Sequence, residues 1–314
     1  MARALIVGGA GFIGCYLVER LLDDGWSVVT LDPAKPVQDL THERLERSTN
    51  NATDKRSLEF QVSSADCVFH LAAHVGVDRT YGHVAHTIQE HLEIDHNVFE
   101  ACLNYKKPVL YTSTSEVYGK NPNIPWREDA DCCLGPSTRG RWSYAASKLM
   151  GEHLALAMHR DYDLNVRVVR LFNITGAGQS NRFVLPRFAQ QAVKEEPITI
   201  YGNGEQRRTF CAVNDCVDAL VKLMIPRANG EIINIGTQRE ITVNALAKMV
   251  LSYNKGGTLK HIPYYDAYGA DFDDVSGRVP NMEKIRLLIG WEPLIPLEWI
   301  VQGVLVHERG QIKV

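Results

Sequence analysis

Residues 4–14 read ALIVGGAGFIG. Ala4 to Val7 is a short apolar run of the kind that forms a buried strand, and Gly8, Gly9, Gly11 and Gly14 follow it closely. From Phe12 to Leu22 the apolar residues recur with a helical period. Strand, glycine turn and helix in this order let a backbone approach a pyrophosphate. The glycines allow the tight turn, and the N–H groups of the helix N-terminus face the anion. The same glycines also fit a purely structural turn. A second strand, Ser27 to Leu31, ends at Asp32, 18 positions beyond Gly14. That is close to the spacing of a carboxylate that holds the ribose hydroxyls of a dinucleotide.

Working outward, residues 33–65 are polar and weakly patterned. After them come a buried-strand run at Asp66–Ala72 (DCVFHLA), a helical stretch over 83–104 and a strand at Pro108–Ser113. A long loop over 120–141 carries Pro122, Pro125, Gly135, Pro136 and Gly140. A helix then holds Tyr144, and Leu164–Phe172 is again a strand. This alternation predicts an α/β fold with a doubly wound parallel sheet of the Rossmann type. Ligands of such sheets bind beyond the strand C-termini, which makes Ser115 and Glu116 candidates. A capped turn explains the same two residues without a ligand. From Asn173 onward the pattern loosens into helices at 182–194, 215–224 and 242–251 and strands at 198–201 and 231–235. The tail over 264–290 is rich in Asp, Gly and Tyr. The expected organisation is a dinucleotide-binding domain over 1–172 and about 206–236, with a smaller C-terminal α/β substrate domain over about 173–205 and 237–314.

Composition narrows the function class. A chain of 314 residues with net charge -3 and 23% charged residues points to neither nucleic acid nor a membrane surface. No apolar run reaches the roughly 18 residues of a spanning helix. The N-terminus reads as a strand entering a glycine turn, not a signal peptide. The seven cysteines include no Cys-x-x-Cys pair, so reduced thiols and a cytoplasmic location are expected. His83, His86, His91 and His96 share a helix without a completing carboxylate or cysteine set, and no metal site is expected.

In Trp142–Glu152, WSYAASKLMGE, Tyr144 and Lys148 are four residues apart. On a helix they share one face. An ammonium beside a phenol favours the phenolate, so Lys148 is expected to depress the pKa of Tyr144 and fit it for proton transfer. An ordinary amphipathic helix, with a half-buried Tyr and a snorkelling Lys, gives the same spacing.

Taken together, the glycine turn, Asp32, the His-Leu-Ala-Ala strand end, Ser-Glu-Val-Tyr-Gly and Tyr144-Ala-Ala-Ser-Lys148 resemble the extended short-chain dehydrogenase/reductase family of nucleotide-sugar epimerases and dehydratases. Gly8, Gly11 and Gly14 match that family's Gly-x-x-Gly-x-x-Gly. Gly135-Pro136, Arg141-Trp142-Ser143-Tyr144, Gly230–Gly236 and the stretch from Tyr268-Gly269 through Asp273-Asp274 to Arg278-Val279-Pro280 are similar to UDP-glucuronate decarboxylases within it. Two residues depart from the family's usage: His91 stands where asparagine is usual, and Asn51 where an aspartate lies near adenine.

The resemblance implies NAD as cofactor, held by Gly8, Gly11, Phe12, Ile13, Gly14, Asp32, Leu71, Ala72, Ala73, Tyr144 and Lys148. It implies a UDP-sugar substrate held by Asn173, Arg182, Tyr201, Arg208 and Arg278. Tyr144, Lys148, Ser115, Glu116 and Arg278 are the implied catalytic set, with Glu116 and Arg278 positioning the sugar carboxylate and delivering a proton to C5. Relatives commonly form homodimers through two helices, here about 83–104 and 142–162. UDP-sugar 4-epimerisation and non-catalytic dinucleotide sensing are the alternative functions.

Overall fold

The computed structural model describes residues 1–73, 84–268 and 277–311. Its centre is a seven-stranded sheet. The chain enters through β1 (Arg3–Val7), α1 (Phe12–Asp23), β2 (Ser27–Leu31), β3 (Leu45–Ser48), α2 (Lys55–Ser64), β4 (Cys67–His70), α3 (Val84–Asn104), β5 (Val109–Thr114), α4 (Ser143–Tyr162) and β6 (Val166–Leu171). It then runs through β7 (Ile174–Thr175), α5 (Val184–Val193), β8 (Ile198–Tyr201), β9 (Arg207–Thr209), β10 (Cys211–Ala212), α6 (Val213–Lys222) and β11 (Ile232–Ile235). The C-terminal elements are β12 (Glu240–Thr242), α7 (Val243–Asn254), β13 (Leu259–Ile262), α8 (Tyr264–Tyr268), α9 (Glu283–Ile289) and α10 (Leu297–Gln311).

The sheet order is β11-β6-β5-β4-β1-β2-β3, and every pairing is parallel. The order reverses between β1 and β4, which opens a crevice beyond their C-terminal ends. β1 shows why the sheet is covered on both faces. Ala4 and Ile6 join the cluster under α1, α6 and α9, while Leu5 and Val7 join the one under α2, α3 and α4. Alternate residues of a strand face opposite sides, so an unbroken apolar run needs two apolar layers. A third apolar cluster unites α5, α7 and α10 with β8 through Leu185, Phe188, Ile198, Leu246 and Val301. The segment after residue 277 returns to the main sheet, where Met282, Ile285 and Trp291 are buried with the α1 layer.

The structure also contains elements that the pattern over 33–65 did not announce. β3 is a four-residue edge strand with its middle residues exposed, and α2 begins at Asp54, whose side chain accepts from Ser57 N. A short edge strand and a polar helix carry little apolar periodicity. α9 and α10 lie beyond the last predicted helix; α9 has only Ile285 buried, while α10 buries Ile300, Val301, Val304 and Leu305 against α5 and α7.

Candidate active site

The glycine turn lies at the crevice. Gly8 has φ 88, and a Cβ placed there would sit 2.6 Å from Ala72 N. β1 and the strand end at Leu71–Ala72 can therefore approach closely only through a glycine. α1 starts at Gly11 with no side-chain cap, so its first-turn N–H groups are left for an anion. Asp32 accepts from Ala10 N (3.0 Å) and Ala34 N (2.9 Å) and so braces the turn from β2. A carboxylate has further lone pairs for two ribose hydroxyls. These residues fit a dinucleotide, and a 2'-phosphate would bring a second negative charge against Asp32. NADP is expected to bind at least about tenfold more weakly than NAD, since like charges across an interface are strongly disfavoured. Calorimetric titration of both dinucleotides checks this, and equal affinities would contradict it.

Lys148 is 1% exposed, and its Nζ lies 3.4 Å from Ala72 O and 4.6 Å from the centre of the Tyr111 ring. Beneath it lies a buried chain that sequence reasoning missed. Tyr111 Oη donates to Asp95 Oδ2 (2.7 Å), and His70 Nε2 meets Asp95 Oδ1 at 2.7 Å. Burial drives His70 towards its neutral form against the pull of Asp95. Burial would raise the Asp95 carboxyl, but Lys148, His70 and Tyr111 outweigh it and hold the group below its ordinary value. Asp95 is thus the counter-charge of Lys148, whose own pKa is lowered by burial against the attraction of Asp95 and Glu152. Gly151 on α4 makes room for the chain: a Cβ there would collide with Tyr111 Oη and Asp95 Oδ2. The signal in the sequence was a carboxylate one turn beyond His91 on the apolar side of α3. His91 itself approaches Ser147 Oγ at 3.1 Å and lies edge-on to Tyr144, 6.0 Å between ring centres. Asn51 bonds Glu90 through its side-chain amide at 3.1 Å.

The tyrosine expectation requires correction. The Tyr144 phenol is raised above its ordinary value, first by burial and then by the carboxylates of Glu116 and Asp95. The ammonium of Lys148 does not dominate, because burial and the two carboxylates act the other way. The phenol is therefore protonated at neutral pH in this structure, and ionising it needs further positive charge in the crevice.

Ser115 is 2% exposed and opens a 3-10 turn, Ser115–Tyr118, capped by Thr114 Oγ1 accepting from Glu116 N. Glu116 projects from that turn into a cluster of guanidinium groups. Arg278 Nη1 donates to Glu116 Oε1 at 2.9 Å, and Arg141 Nη1 is 3.6 Å from Oε2. Burial would raise the Glu116 carboxyl; Arg278, Arg141 and Arg208 together hold it below the usual range. Held as an anion, Glu116 would have to take up a proton before it could deliver one to C5. Arg278 is carried to this position by the residues after 277, which pair with the 120–141 loop. Trp126 N donates to Val279 O (2.8 Å) and Asn281 N to Trp126 O (2.7 Å). Asp273 and Asp274, and most of the Tyr268–Pro280 stretch, lie outside the described residues. Arg141 was quoted in the sequence without a role, and only the fold brings it to Glu116.

Asn173 follows β6 with φ 43, and its side-chain Nδ2 is buried without a hydrogen-bond partner among the described residues. Tyr201 ends β8 with the Arg187 guanidinium stacked 4.3 Å from its ring centre. Arg208 on β9 contributes to the field at Glu116. Arg182 is exposed before α5, and its backbone N–H reaches Ser180 Oγ at 3.4 Å; among the described residues no side-chain contact ties it to the others.

Comparison with known proteins identifies relatives of this chain. Residues 4–236 match the family model described as the NAD dependent epimerase/dehydratase family. A UDP-N-acetyl-alpha-D-glucosaminuronate decarboxylase of Bacillus cytotoxicus is 34% identical over 304 residues, covering 94% of each chain. A UDP-glucuronic acid decarboxylase 1 of Danio rerio is 30% identical over 94% of this chain and 70% of that one. The solved UDP-N-acetylglucosamine 4-epimerase from Methanobrevibacter ruminantium, in complex with UDP-N-acetylmuramic acid, superposes with a TM-score of 0.90 at 25% identity, covering 99% of both chains. With a family model spanning most of the chain and a 34% identical relative matched over 94% of each chain, this protein belongs to the NAD dependent epimerase/dehydratase family of enzymes.

Proposed function

We propose that this enzyme decarboxylates a UDP-hexuronate, either UDP-glucuronate or its 2-acetamido counterpart. The observation that carries the reading is the Glu116–Arg278 pair with Arg141 beside it. A neutral hexose has no group for that cation cluster to address. The relatives named as decarboxylases support the same substrate class. A UDP-sugar 4-epimerase is the second reading, favoured by the superposition on an enzyme of that name.

NAD+, when bound in the glycine crevice, supplies the oxidant for C4 of the sugar. Tyr144 is the side chain assigned to hold and move the C4 hydroxyl proton, and its raised phenol would ionise more readily with a cationic cofactor ring bound beside it. Lys148, balanced by Asp95, orients the nicotinamide ribose. Once C4 is a carbonyl, the sugar carboxylate is β to it. The bond from C5 to the carboxyl carbon then breaks, CO2 leaves, and the electron pair moves onto the C4 oxygen as an enolate. Ser115 and Tyr144 donate hydrogen bonds to that oxygen. Arg278, oriented by Glu116, holds the carboxylate before it leaves. Protonation at C5 completes the step, and Glu116 can serve there only after taking a proton from solvent.

The UDP moiety is assigned to Asn173, Tyr201 and Arg208, between the sheet edge and the α5–α7–α10 layer. On this reading 173–205 and 237–314, joined by Arg208 on β9, form chiefly the substrate side of the enzyme, and 1–172 with the rest of 206–236 the cofactor side. No helix among the described residues is long and apolar enough to cross a membrane. A homodimer through α3 and α4 in the cytoplasm completes the reading, supported by the exposed Met150 and Tyr162 on α4. Incubation with NAD+ and each of UDP-glucuronate, its 2-acetamido analogue and UDP-glucose tests the function. CO2 release from a uronate is expected. Interconversion of neutral hexoses without CO2 would replace the reading with the epimerase.

A further inference from the structure

Arg141 is a buried cation with no task of its own in the chemistry at C4. It sits in a 3-10 turn, Gly140–Trp142, just before the Tyr144 helix. Ser143 Oγ pins the turn by donating to Gly140 O at 2.7 Å. The guanidinium lies over the Trp142 ring, 4.8 Å from its centre, a cation–π contact that helps hold it in place. The residue is only 9% exposed, and its Nε is buried with no hydrogen-bond partner among the described residues. Its approach to Glu116 Oε2, at 3.6 Å, is an ion pair longer than a hydrogen bond. A buried, charged donor without an acceptor is costly, and such groups are rare unless something arrives to satisfy them.

We propose that Arg141 is the second cation of a carboxylate clamp, binding the sugar carboxylate together with Arg278 and so setting the preference for a uronate over a neutral UDP-hexose. This rests on the reading that the site takes a UDP-uronate. Charge supports it. Glu116 is one carboxylate shared by two guanidinium groups, Arg278 on Oε1 and Arg141 on Oε2. Among the described residues these two guanidinium groups share this single carboxylate, so their charge is only partly offset, and an additional carboxylate would balance it. A neutral hexose would leave that charge buried and unbalanced, which is a device for rejection as well as attraction. Geometry supports it too. The clamp lies between the turn that carries Ser115 and Glu116 and the turn that begins the Tyr144 helix, so both cations flank the groups assigned to C4. Trp142 on one side and the Trp126–Val279 pairing on the other hold each arginine from its own segment.

The chemistry gives the clamp a kinetic signature. During decarboxylation, charge leaves the carboxylate for the C4 oxygen, so a cation on the carboxylate stabilises the bound substrate at least as much as the transition state. Loss of such an interaction raises KM more than it lowers kcat. A residue that merely positioned Glu116 would alter neutral and anionic ligands alike.

The test is calorimetric binding of UDP-glucuronate and UDP-glucose to the NAD-loaded enzyme, for the wild type and for Arg141→Gln and Arg141→Lys, with CO2 release assayed in parallel. The wild type is expected to bind the uronate more tightly. Arg141→Gln is expected to weaken the uronate by about 10- to 100-fold, the scale of a charge-assisted hydrogen bond, while UDP-glucose changes less than about threefold. Arg141→Lys keeps the charge, loses the planar fork and should fall between. Equal weakening of both ligands, or no weakening, overturns the clamp. Should Arg141→Gln fail to fold, the lysine variant and the wild-type preference still decide: equal wild-type affinities for the two ligands overturn the proposal alone. Arg141-dependent uronate preference without CO2 release would leave the clamp standing and remove the decarboxylase reading.

Discussion

Arg278→Ala is expected to lower CO2 release from the uronate by at least about 10²-fold, because truncating one partner of a hydrogen-bonded, part-buried charge pair that also holds the substrate carboxylate costs about 3 kcal/mol and each step of about 1.4 kcal/mol is a factor of ten. Two effects add in this variant. The sugar carboxylate loses its planar, two-pronged partner. Glu116 also loses the donor at 2.9 Å that fixes its position, and retains Arg141 at 3.6 Å. The fold and NAD affinity are expected to remain, since Arg278 is far in sequence from the glycine turn and contacts the 3-10 turn after β5 instead. Steady-state assay of CO2, with NAD binding measured alongside, checks both halves. Undiminished CO2 release would show that Arg278 is only a structural ion pair with Glu116.

Tyr144→Phe keeps the ring that packs edge-on to His91 at 6.0 Å and removes the one proton that the mechanism moves at C4. Turnover is expected to fall by about 10²-fold or more, the usual scale of general acid–base catalysis, with NAD binding intact. The pH dependence gives a second reading. The phenol is raised by burial, Glu116 and Asp95, so its ionised fraction, and with it the rate of the wild type, should increase with pH through neutrality. The variant lacks the ionisable group, and its residual rate should not share that rise. Near-normal turnover in Tyr144→Phe would dismiss the tyrosine as the base.

The nucleotide half of the fold was legible because its signals are local. Apolar strands, the glycines after Val7 and the acid ending β2 all lie within the first 32 residues, and each has one physical reading when the others are present. That the sheet is parallel and doubly wound followed from the alternation of the later strands with helices. What escaped were elements whose stability comes from neighbours distant in sequence. β3 is a short exposed edge, and α10 is secured by packing on α5 and α7. The site divides in the same way. Tyr144 and Lys148 share a helix face and could be paired by spacing. Asp95, Tyr111 and His70 come from α3, β5 and β4 and meet only when the sheet forms. Burial of the Tyr144 ring, with the carboxylates of Glu116 and Asp95, is what defeats the simple expectation that Lys148 lowers the Tyr144 pKa. Glu116, Arg141 and Arg278 likewise converge from three separated segments, and no spacing rule connects residues 116 and 278.

The claim at the centre is that oxidation at C4 serves to break the bond to the C5 carboxylate, and the most direct measurement is the product formed from UDP-glucuronate and NAD+ in D2O, read by proton NMR. Decarboxylation predicts a UDP-pentose, or its 4-keto form, that has lost C6 and carries one solvent deuteron at C5. A UDP-hexuronate inverted at C4, with its carboxylate retained and no deuterium at C5, would contradict it.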